Sequence, residues 1–150
     1  MYWTQHVLDA APEITDPNAI YSFIPLMFVK NKTVSRLANE KIHALLNTVP
    51  IHLLNKIDEK IRNSNFSKHY DQISEYWYGL SPSIFDYYKS PSIEFFVILK
   101  ILCCHPSGYI RYKAIKTFAD NSTQDAIPFL LIRANDWVEE IRTLCLAILI

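Results

Sequence analysis

The sequence predicts an all-helical protein built from short, antiparallel helices. The chain has 150 residues, half of them apolar, but only two are glycine. Sandwiches and barrels need glycine at turns and bulges, so its scarcity disfavours an all-β fold. Apolar residues instead recur at three- and four-residue spacing, and short polar segments separate the runs. Such short connections favour consecutive helices that lie side by side and antiparallel.

The first half of the chain contains four predicted helices. Asp16 and Pro17 begin the first, because aspartate caps a helix and proline fits its first turn. Pro50 begins the third in the same way, and an Asn-Ser-Asn segment from Asn63 ends it. The apolar stripe of this third helix consists of Ile51, Leu54, Ile57 and Ile61. The other predicted helices cover residues 17–29, 34–46 and 67–80.

The second half shows the pattern more clearly. Two Ser-Pro-Ser segments, 81–83 and 90–92, are typical of helix caps and enclose a short segment. Four helices are predicted after them, over residues 92–105, 108–120, 124–135 and 136–150. Since no long linker or low-complexity tract interrupts the chain, we expect one domain over residues 1–150.

Two internal matches indicate a repeat. IPLMFVK at residues 24–30 corresponds in residue character to IPFLLIR at 127–133. An Ile-Arg pair ending at Arg111 recurs at Arg142, 31 residues later, and Cys145 matches Ala114 as another small residue. A repeat of this length that contains two helices is typical of an α-solenoid.

The second helices of this repeat resemble a known family. YIRYKAIKTFA and NDWVEEIRTLCLAIL look like second helices of HEAT repeats, close to the short bacterial type named after phycobilisome lyases. The resemblance rests on the Ile-Arg pair, the small residue after it, and Asp136 six residues before Arg142. It covers 92–150 well and 20–47 less well, but not 48–91. It implies a right-handed α-α superhelix (a HEAT-like solenoid) whose second helices line the concave face.

Arg111, Asp136 and Arg142 are interpreted as structural residues. The small residues Ala114 and Cys145 permit close helix approach, and each arginine can lie along a seam between repeats. We expect the guanidinium of Arg111 to face the carboxylate of Asp136, one repeat away. A ligand-binding role for either arginine is the alternative.

No residue pattern indicates a catalytic residue, a cofactor or a metal site. Cys103-Cys104-His105 invites a zinc interpretation, but adjacent helical residues point about 100° apart and do not easily share a tetrahedral site. Buried, reduced thiols are therefore expected at Cys103, Cys104 and Cys145. The histidines lack metal-binding helical spacing, and the glycines lie too far apart for a phosphate loop. The chain is expected not to be an enzyme.

Exposed basic and aromatic residues are the candidates for binding. Trp77 is predicted in the core, whereas Tyr87 and Tyr88 are further candidates for exposed contact. The acidic pairs 58–59 and 139–140 are interpreted as solvated helix faces. The residues proposed for a binding face are Tyr112, Lys113, Lys116, Trp137 and Glu140.

The leading functional hypothesis is a protein-interaction scaffold with a protein partner. Nucleic-acid binding, possible through a local basic strip, is the alternative. HEAT-like DNA glycosylases carry Trp and Asp near the lesion, as in Asp136-Trp137. The balance of 15 basic and 15 acidic residues disfavours it, because phosphate neutralisation supplies most nucleic-acid affinity. A chromophore-lyase-like role is suggested only by the name of the repeat subtype.

Location and assembly follow from the apolar segments. The N-terminus has no signal-peptide pattern, and no apolar run approaches the ~20 residues of a membrane span. We therefore expect a cytoplasmic protein without membrane contact. The last predicted helix ends in LCLAILI without a polar cap, so self-association or a further repeat is expected there, and the chain could be part of a longer array.

Overall fold

A computed structural model describes residues 9, 11–63, 74–87, 92–121 and 124–150. All regular secondary structure within these ranges is helical, which confirms the all-helical prediction. The α-helices are α1 Ile20–Phe23, α2 Lys32–Leu46, α3 Ile51–Arg62, α4 Ser74–Tyr78, α5 Ile84–Tyr87, α6 Ile93–Leu102, α7 Gly108–Asn121, α8 Ile127–Arg133 and α9 Glu139–Leu149. Short 3₁₀ turns cover Ala11–Glu13, Pro17–Ala19, Ile24–Phe28 and Gln124–Ala126.

The chain divides into two compact units. The described residues of the first lie within Met1–Pro50 and Ser64–Gly79, and those of the second within Ile51–Asn63 and Leu80–Ile150. Of the predicted fourth helix, residues 67–73 lie outside the described residues, as do Tyr88 and the side chain of Tyr87.

The first unit is built around α2. Its apolar face is buried against α1 and the 3₁₀ turn that follows α1. The side chain of Asn31 caps α2 by accepting hydrogen bonds from the backbone N–H groups of Thr33 and Val34. Trp77 of α4 is fully buried beside Phe28, with ring centroids 5.8 Å apart. The prediction of Trp77 as a core residue is therefore confirmed.

The two halves of the IPLMFVK match differ in helix type. Ile24–Phe28 is a 3₁₀ turn, whereas Ile127–Arg133 is an α-helix. Pro25 follows a preceding α-helix, where the missing N–H and the ring disturb α-type hydrogen bonding. Pro128 instead lies in the first turn of α8, where no such bond is lost. The predicted helix over residues 17–29 is therefore not one continuous α-helix, because 3₁₀ turns lie on both sides of Ile20–Phe23.

The second unit contains α3 and α5 to α9. Helix α7 packs on α6 and on α9, α9 also packs on α8, and α3 contacts α8. Ser92 caps α6 through a hydrogen bond from the backbone N–H of Phe95, as its Ser-Pro-Ser segment predicts. In α3, Leu54, Ile57 and Ile61 are buried as predicted. Ile51 is 74% exposed, because it lies at the helix start and misses the packed face.

No helix in the described ranges is both long enough and apolar enough to span a membrane.

Candidate functional site

The 31-residue offset found in the sequence recurs in the hydrogen bonds of the second unit. At the end of α6, the N–H of Cys103 donates to the carbonyl of Leu99 at 2.9 Å. At the end of α8, the N–H of Ala134 donates to the carbonyl of Leu130 at 2.8 Å. Helices α6 and α8, each the first helix of a repeated pair, therefore end with the same hydrogen bond at positions 31 residues apart.

The loops that follow these helices also share their capping. The N–H of Ser107 donates to Nδ1 of His105 at 2.9 Å, and the N–H of Val138 donates to Oδ1 of Asp136 at 3.0 Å. In each loop a side chain accepts from the backbone two residues ahead, and a second helix begins directly afterwards. His105 therefore occupies in the first loop the place that Asp136 occupies in the second.

The two repeated arginines brace these loops. Nη1 of Arg111 donates to the carbonyl of His105 at 2.8 Å, and Nη1 of Arg142 donates to the carbonyl of Asp136 at 2.7 Å. Each arginine thus reaches back six residues to the start of its own loop. A side chain of this length can cover the loop while its guanidinium donates in several directions.

Arg111 also connects the two helix pairs. Its Nε and Nη2 atoms donate to Oδ2 and Oδ1 of Asp136 at 2.9 and 3.0 Å, a bidentate salt bridge. Both side chains are almost completely buried. The pair predicted from the sequence is therefore present, in the planar geometry that a guanidinium and a carboxylate prefer.

Arg133 extends this pair into a buried ion network. Its Nη1 donates to Oδ2 of Asp136 at 2.9 Å, and its Nη2 donates to Oδ2 of Asp58. Arg62, at the end of α3, binds the same carboxylate oxygen of Asp58 at 3.1 Å. The network therefore joins α3, α7, α8 and the loop before α9.

The position of Asp58 corrects a sequence-based expectation. The sequence pattern predicts a solvated helix face at residues 58–59, but Asp58 is buried. Two guanidinium groups contact its carboxylate, and their positive charges offset the cost of removing Asp58 from water. The second acidic pair, Glu139 and Glu140, is exposed as expected.

The Asp136 carboxylate is held in its charged form. Burial alone would raise its pKa, but hydrogen bonds from Arg111 and from the N–H of Val138 lower it. The positive charges of Arg111 and Arg133 lower it further. Together these interactions outweigh burial, so the pKa of Asp136 lies below the ordinary aspartate value.

The cysteines lie beside this network as buried, free thiols, as predicted. Burial raises the pKa of Cys103 and Cys104 well above the ordinary value, and it raises the pKa of Cys145 to about 11. The charge of Asp58 raises the pKa of Cys104 further. These thiols are therefore protonated near neutral pH and are poor nucleophiles.

Trp137 lies on the solvent side of Arg111. The guanidinium carbon of Arg111 is 5.9 Å from the centre of the indole ring, within the range of a cation–π contact. The indole is nevertheless 74% exposed. The ring of Trp137 therefore contacts a buried cation and remains largely open to a ligand.

A groove of about 500 Å³ opens beside this ring. It lies between the first turn of α7 and the first turn of α9, so it separates equivalent parts of two repeated second helices. We call it the aromatic groove. Its lining is mostly apolar and consists of Gly108, Tyr109, Tyr112, Trp137, Val138, Glu140 and Ile141.

Gly108 allows the two sides of the aromatic groove to approach closely. A Cβ atom at this position would lie 3.3 Å from Cγ2 of Val138 and 3.8 Å from Nη2 of Arg111. The first of these distances is tighter than ordinary van der Waals contact, so the Val138 side chain would have to shift by a few tenths of an ångström to admit a Cβ atom. The absence of a side chain at Gly108 therefore allows Val138 to lie close to the start of α7.

The structure brings together three of the five proposed binding residues. Tyr112, Trp137 and Glu140 all line the aromatic groove. Lys113 and Lys116 are exposed on α7 but do not line it. Lys113 lies four residues after Tyr109, and Lys116 lies four residues after Tyr112. Both lysines are therefore on the same side of α7 as the tyrosines, one helical turn beyond the groove.

Tyr109 and Arg133 are the main residues that the sequence-based selection missed. Tyr109 is 82% exposed and lines the groove. Tyr109 lies three residues before Tyr112, so both lie on the same side of the helix, and this spacing in the sequence could have identified Tyr109. Arg133 has one local partner, Asp136 three residues on, but its contact with Asp58 had no local signal because the two residues lie 75 positions apart in sequence.

No group of three or more His, Cys, Asp or Glu side chains within the described ranges could hold a metal ion. Comparisons with protein-family models, with curated proteins and with solved structures found no match.

Proposed function

We propose that the chain is a non-catalytic protein-interaction scaffold whose aromatic groove binds a short segment of a partner protein. One observation carries the proposal: Tyr109, Tyr112 and Trp137 present exposed rings around one groove above the buried Arg111. Exposed tyrosine and tryptophan are the residue types most often found as anchors of protein interfaces.

Contacts within the chain hold the aromatic wall of the groove. Arg111 is fixed by Asp136 and by two backbone carbonyls, and it orients Trp137 through the cation–π contact. A binding site with fixed side chains loses less conformational entropy when the ligand binds. The buried ion network therefore serves the groove by holding its aromatic wall in place.

The lining also indicates the chemistry of the partner. Most of the groove is apolar, which suits an apolar or aromatic anchor side chain, and its volume is typical of sites for small groups. Glu140 supplies a carboxylate in this lining. A partner segment that carries a basic residue next to its apolar anchor would satisfy both features.

Glu140 also favours protein over nucleic acid as the ligand of this groove. Phosphate groups are repelled by a carboxylate in the lining, and the nearby Lys113 and Lys116 lie outside it. The zero net charge of the chain acts in the same direction.

The repeat architecture belongs to the same proposal. We infer that the pairs α6–α7 and α8–α9 are HEAT-like repeats of a superhelix in which second helices form the binding face. The shared helix ends, loop caps and arginine braces at a 31-residue offset support this inference. The buried free thiols are consistent with a reducing, cytoplasmic location.

Selection from a displayed peptide library, followed by affinity measurement on purified chain, tests the groove. We expect selected peptides to combine an apolar anchor with a basic neighbour. Trp137→Ala should weaken them about 30-fold, the loss expected when an interface anchor worth ~2 kcal/mol is removed. Tyr78→Ala removes an exposed aromatic residue from the other unit and is the matched control.

Two results would contradict the proposal. One is a set of selected peptides that bind the wild-type chain and the Trp137→Ala variant equally well. The other is a chain that selects no peptide but shifts duplex DNA at low salt, with loss of the shift on Lys113→Glu. That outcome would establish the nucleic-acid alternative.

A further inference from the structure

Aromatic rings lie on both sides of the aromatic groove. Tyr109 and Tyr112 belong to the first two turns of α7, and Trp137 lies in the loop before α9. The face of an aromatic ring carries partial negative charge, so several rings around one space attract a cation. The three exposed rings of this groove therefore favour a positively charged ligand.

Glu140 adds a full negative charge to the same groove. It is exposed in the first turn of α9, and the ion pairs of the described residues do not include it. The cations nearby do not balance this charge, because Arg111 is neutralised by its bidentate pair with Asp136. Lys113 and Lys116 lie outside the lining. The groove lining is therefore negative, which complements a cation.

The apolar character of the lining determines which kind of cation fits best. An unmodified lysine ammonium has three N–H donors and is strongly hydrated, so a mostly apolar groove would leave donors without acceptors. Arginine has five donors and the same disadvantage. A trimethylated lysine keeps its positive charge, has no N–H group at its end and presents methyl groups to the rings. Its chemistry therefore matches both the charge and the polarity of the groove.

We propose that the aromatic groove recognises a trimethylated lysine side chain of the partner protein. The trimethylammonium group lies among the rings of Tyr109, Tyr112 and Trp137, and the carboxylate of Glu140 faces its charge. A groove of about 500 Å³ also has room for the aliphatic stem of the side chain. The inference rests on the proposed function and names the anchor of the bound segment. Library peptides, which contain no methylated lysine, imitate it with an apolar anchor and a separate basic residue.

Three forms of one short peptide test the inference. The peptide consists of alanine, serine and glycine around one central lysine, and the forms carry lysine, trimethyllysine or a neutral isostere in which carbon replaces the trimethylated nitrogen. The trimethyllysine form should bind the full chain about tenfold more tightly than either other form in an NMR titration. That factor corresponds to about 1.4 kcal/mol, within the range of cation–π contacts. Equal binding of the isostere would overturn the inference, because apolar fit alone would then explain the affinity.

Two pairs of variants locate the interaction at the rings and the carboxylate. Tyr109→Leu should weaken trimethyllysine binding about threefold, whereas Tyr109→Phe keeps a ring and should have little effect. Glu140→Gln should also weaken it about threefold, as for an exposed charge pair. Glu139→Gln is the matched control, since Glu139 is exposed but does not line the groove. Equal losses in the two glutamate variants would overturn the placement of the ammonium group beside Glu140.

Failure of this inference can be distinguished from failure of the proposed function. Library peptides that require Trp137, together with no gain from trimethylation, would overturn the inference and leave the scaffold function standing. If no peptide of either kind depends on Trp137, both are wrong. Phosphatidylcholine vesicles that retain the wild-type chain but not the Trp137→Ala variant would overturn the choice of partner, because the occupant would be a lipid headgroup.

Discussion

Asp136 accepts hydrogen bonds from two guanidinium groups and one backbone N–H. Its carboxylate therefore neutralises Arg111 and Arg133 and begins the turn into α9. Removing such a group leaves buried positive charges without compensation, which costs more than the pair itself contributes.

Asp136→Asn should lower the free energy of unfolding by about 3–5 kcal/mol, the range found when one partner of a buried ion pair is removed. The amide keeps an acceptor for the N–H of Val138 but loses the charge. Denaturant titration measures the change. Glu40→Gln is the control, because it breaks an exposed pair with Arg36 that is expected to contribute less than about 1 kcal/mol. Equal losses of unfolding free energy in the two variants would contradict the prediction, because the buried pair would then contribute no more than the exposed one.

The lowered pKa of Asp136 predicts acid sensitivity. The folded state holds its carboxylate charged more strongly than the unfolded chain does, so this stabilisation is fully present above the ordinary value of about 3.9. It is lost as the pH falls below that value and through the lowered folded pKa. Unfolding free energy measured against pH should decline in this acid range, and Asp136→Asn should flatten the decline. An unchanged pH profile in the variant would assign the acid sensitivity to other groups.

At the scale of helices, small residues set how closely the repeated pairs approach. Ala114 of α7 is fully buried, and so is its counterpart Cys145 of α9. Side chains of this size allow neighbouring helices to pack closely. A larger residue at either position has no free volume to enter, because protein interiors are close-packed.

Ala114→Leu should therefore destabilise the chain by about 1–3 kcal/mol through overpacking. Ala119→Leu is the matched control on the same helix, since Ala119 is half-buried and borders a groove of about 380 Å³ that can accept the added atoms. Thermal unfolding of both variants measures the difference. An Ala114→Leu variant as stable as the wild-type chain would mean that α7 does not pack closely at this position.

Helix positions could be predicted because their signals are local. Caps such as Ser92 and apolar spacing such as that of Leu54 and Ile57 depend only on nearby residues. The change to 3₁₀ geometry at Pro25 required knowledge that an α-helix precedes it directly. Burial of Asp58 could not be predicted, because an acidic residue on an amphipathic helix is normally solvated unless a distant partner such as Arg133 reaches it.

At the scale of the molecule, the internal repeat made part of the candidate site predictable. The 31-residue repeat relates Arg111 to Arg142 and predicts that Asp136, one repeat away, faces Arg111. The structure contains this pair. The repeat did not locate the aromatic groove, because the groove depends on the close approach of Val138 to Gly108 and on the side-chain directions at the starts of two helices. The lysines were selected for their charge, and charge alone does not determine which residues line a cavity.

The proposed function requires that the aromatic groove is the binding surface. Backbone amide NMR of the full chain, titrated with a library-selected peptide, tests it most directly. We expect the largest shifts to cluster at Tyr109, Tyr112, Trp137 and Glu140, and we expect Trp137→Ala to remove them. Shifts that cluster instead at Leu131 and Leu146, or that remain unchanged in the Trp137→Ala variant, would contradict it.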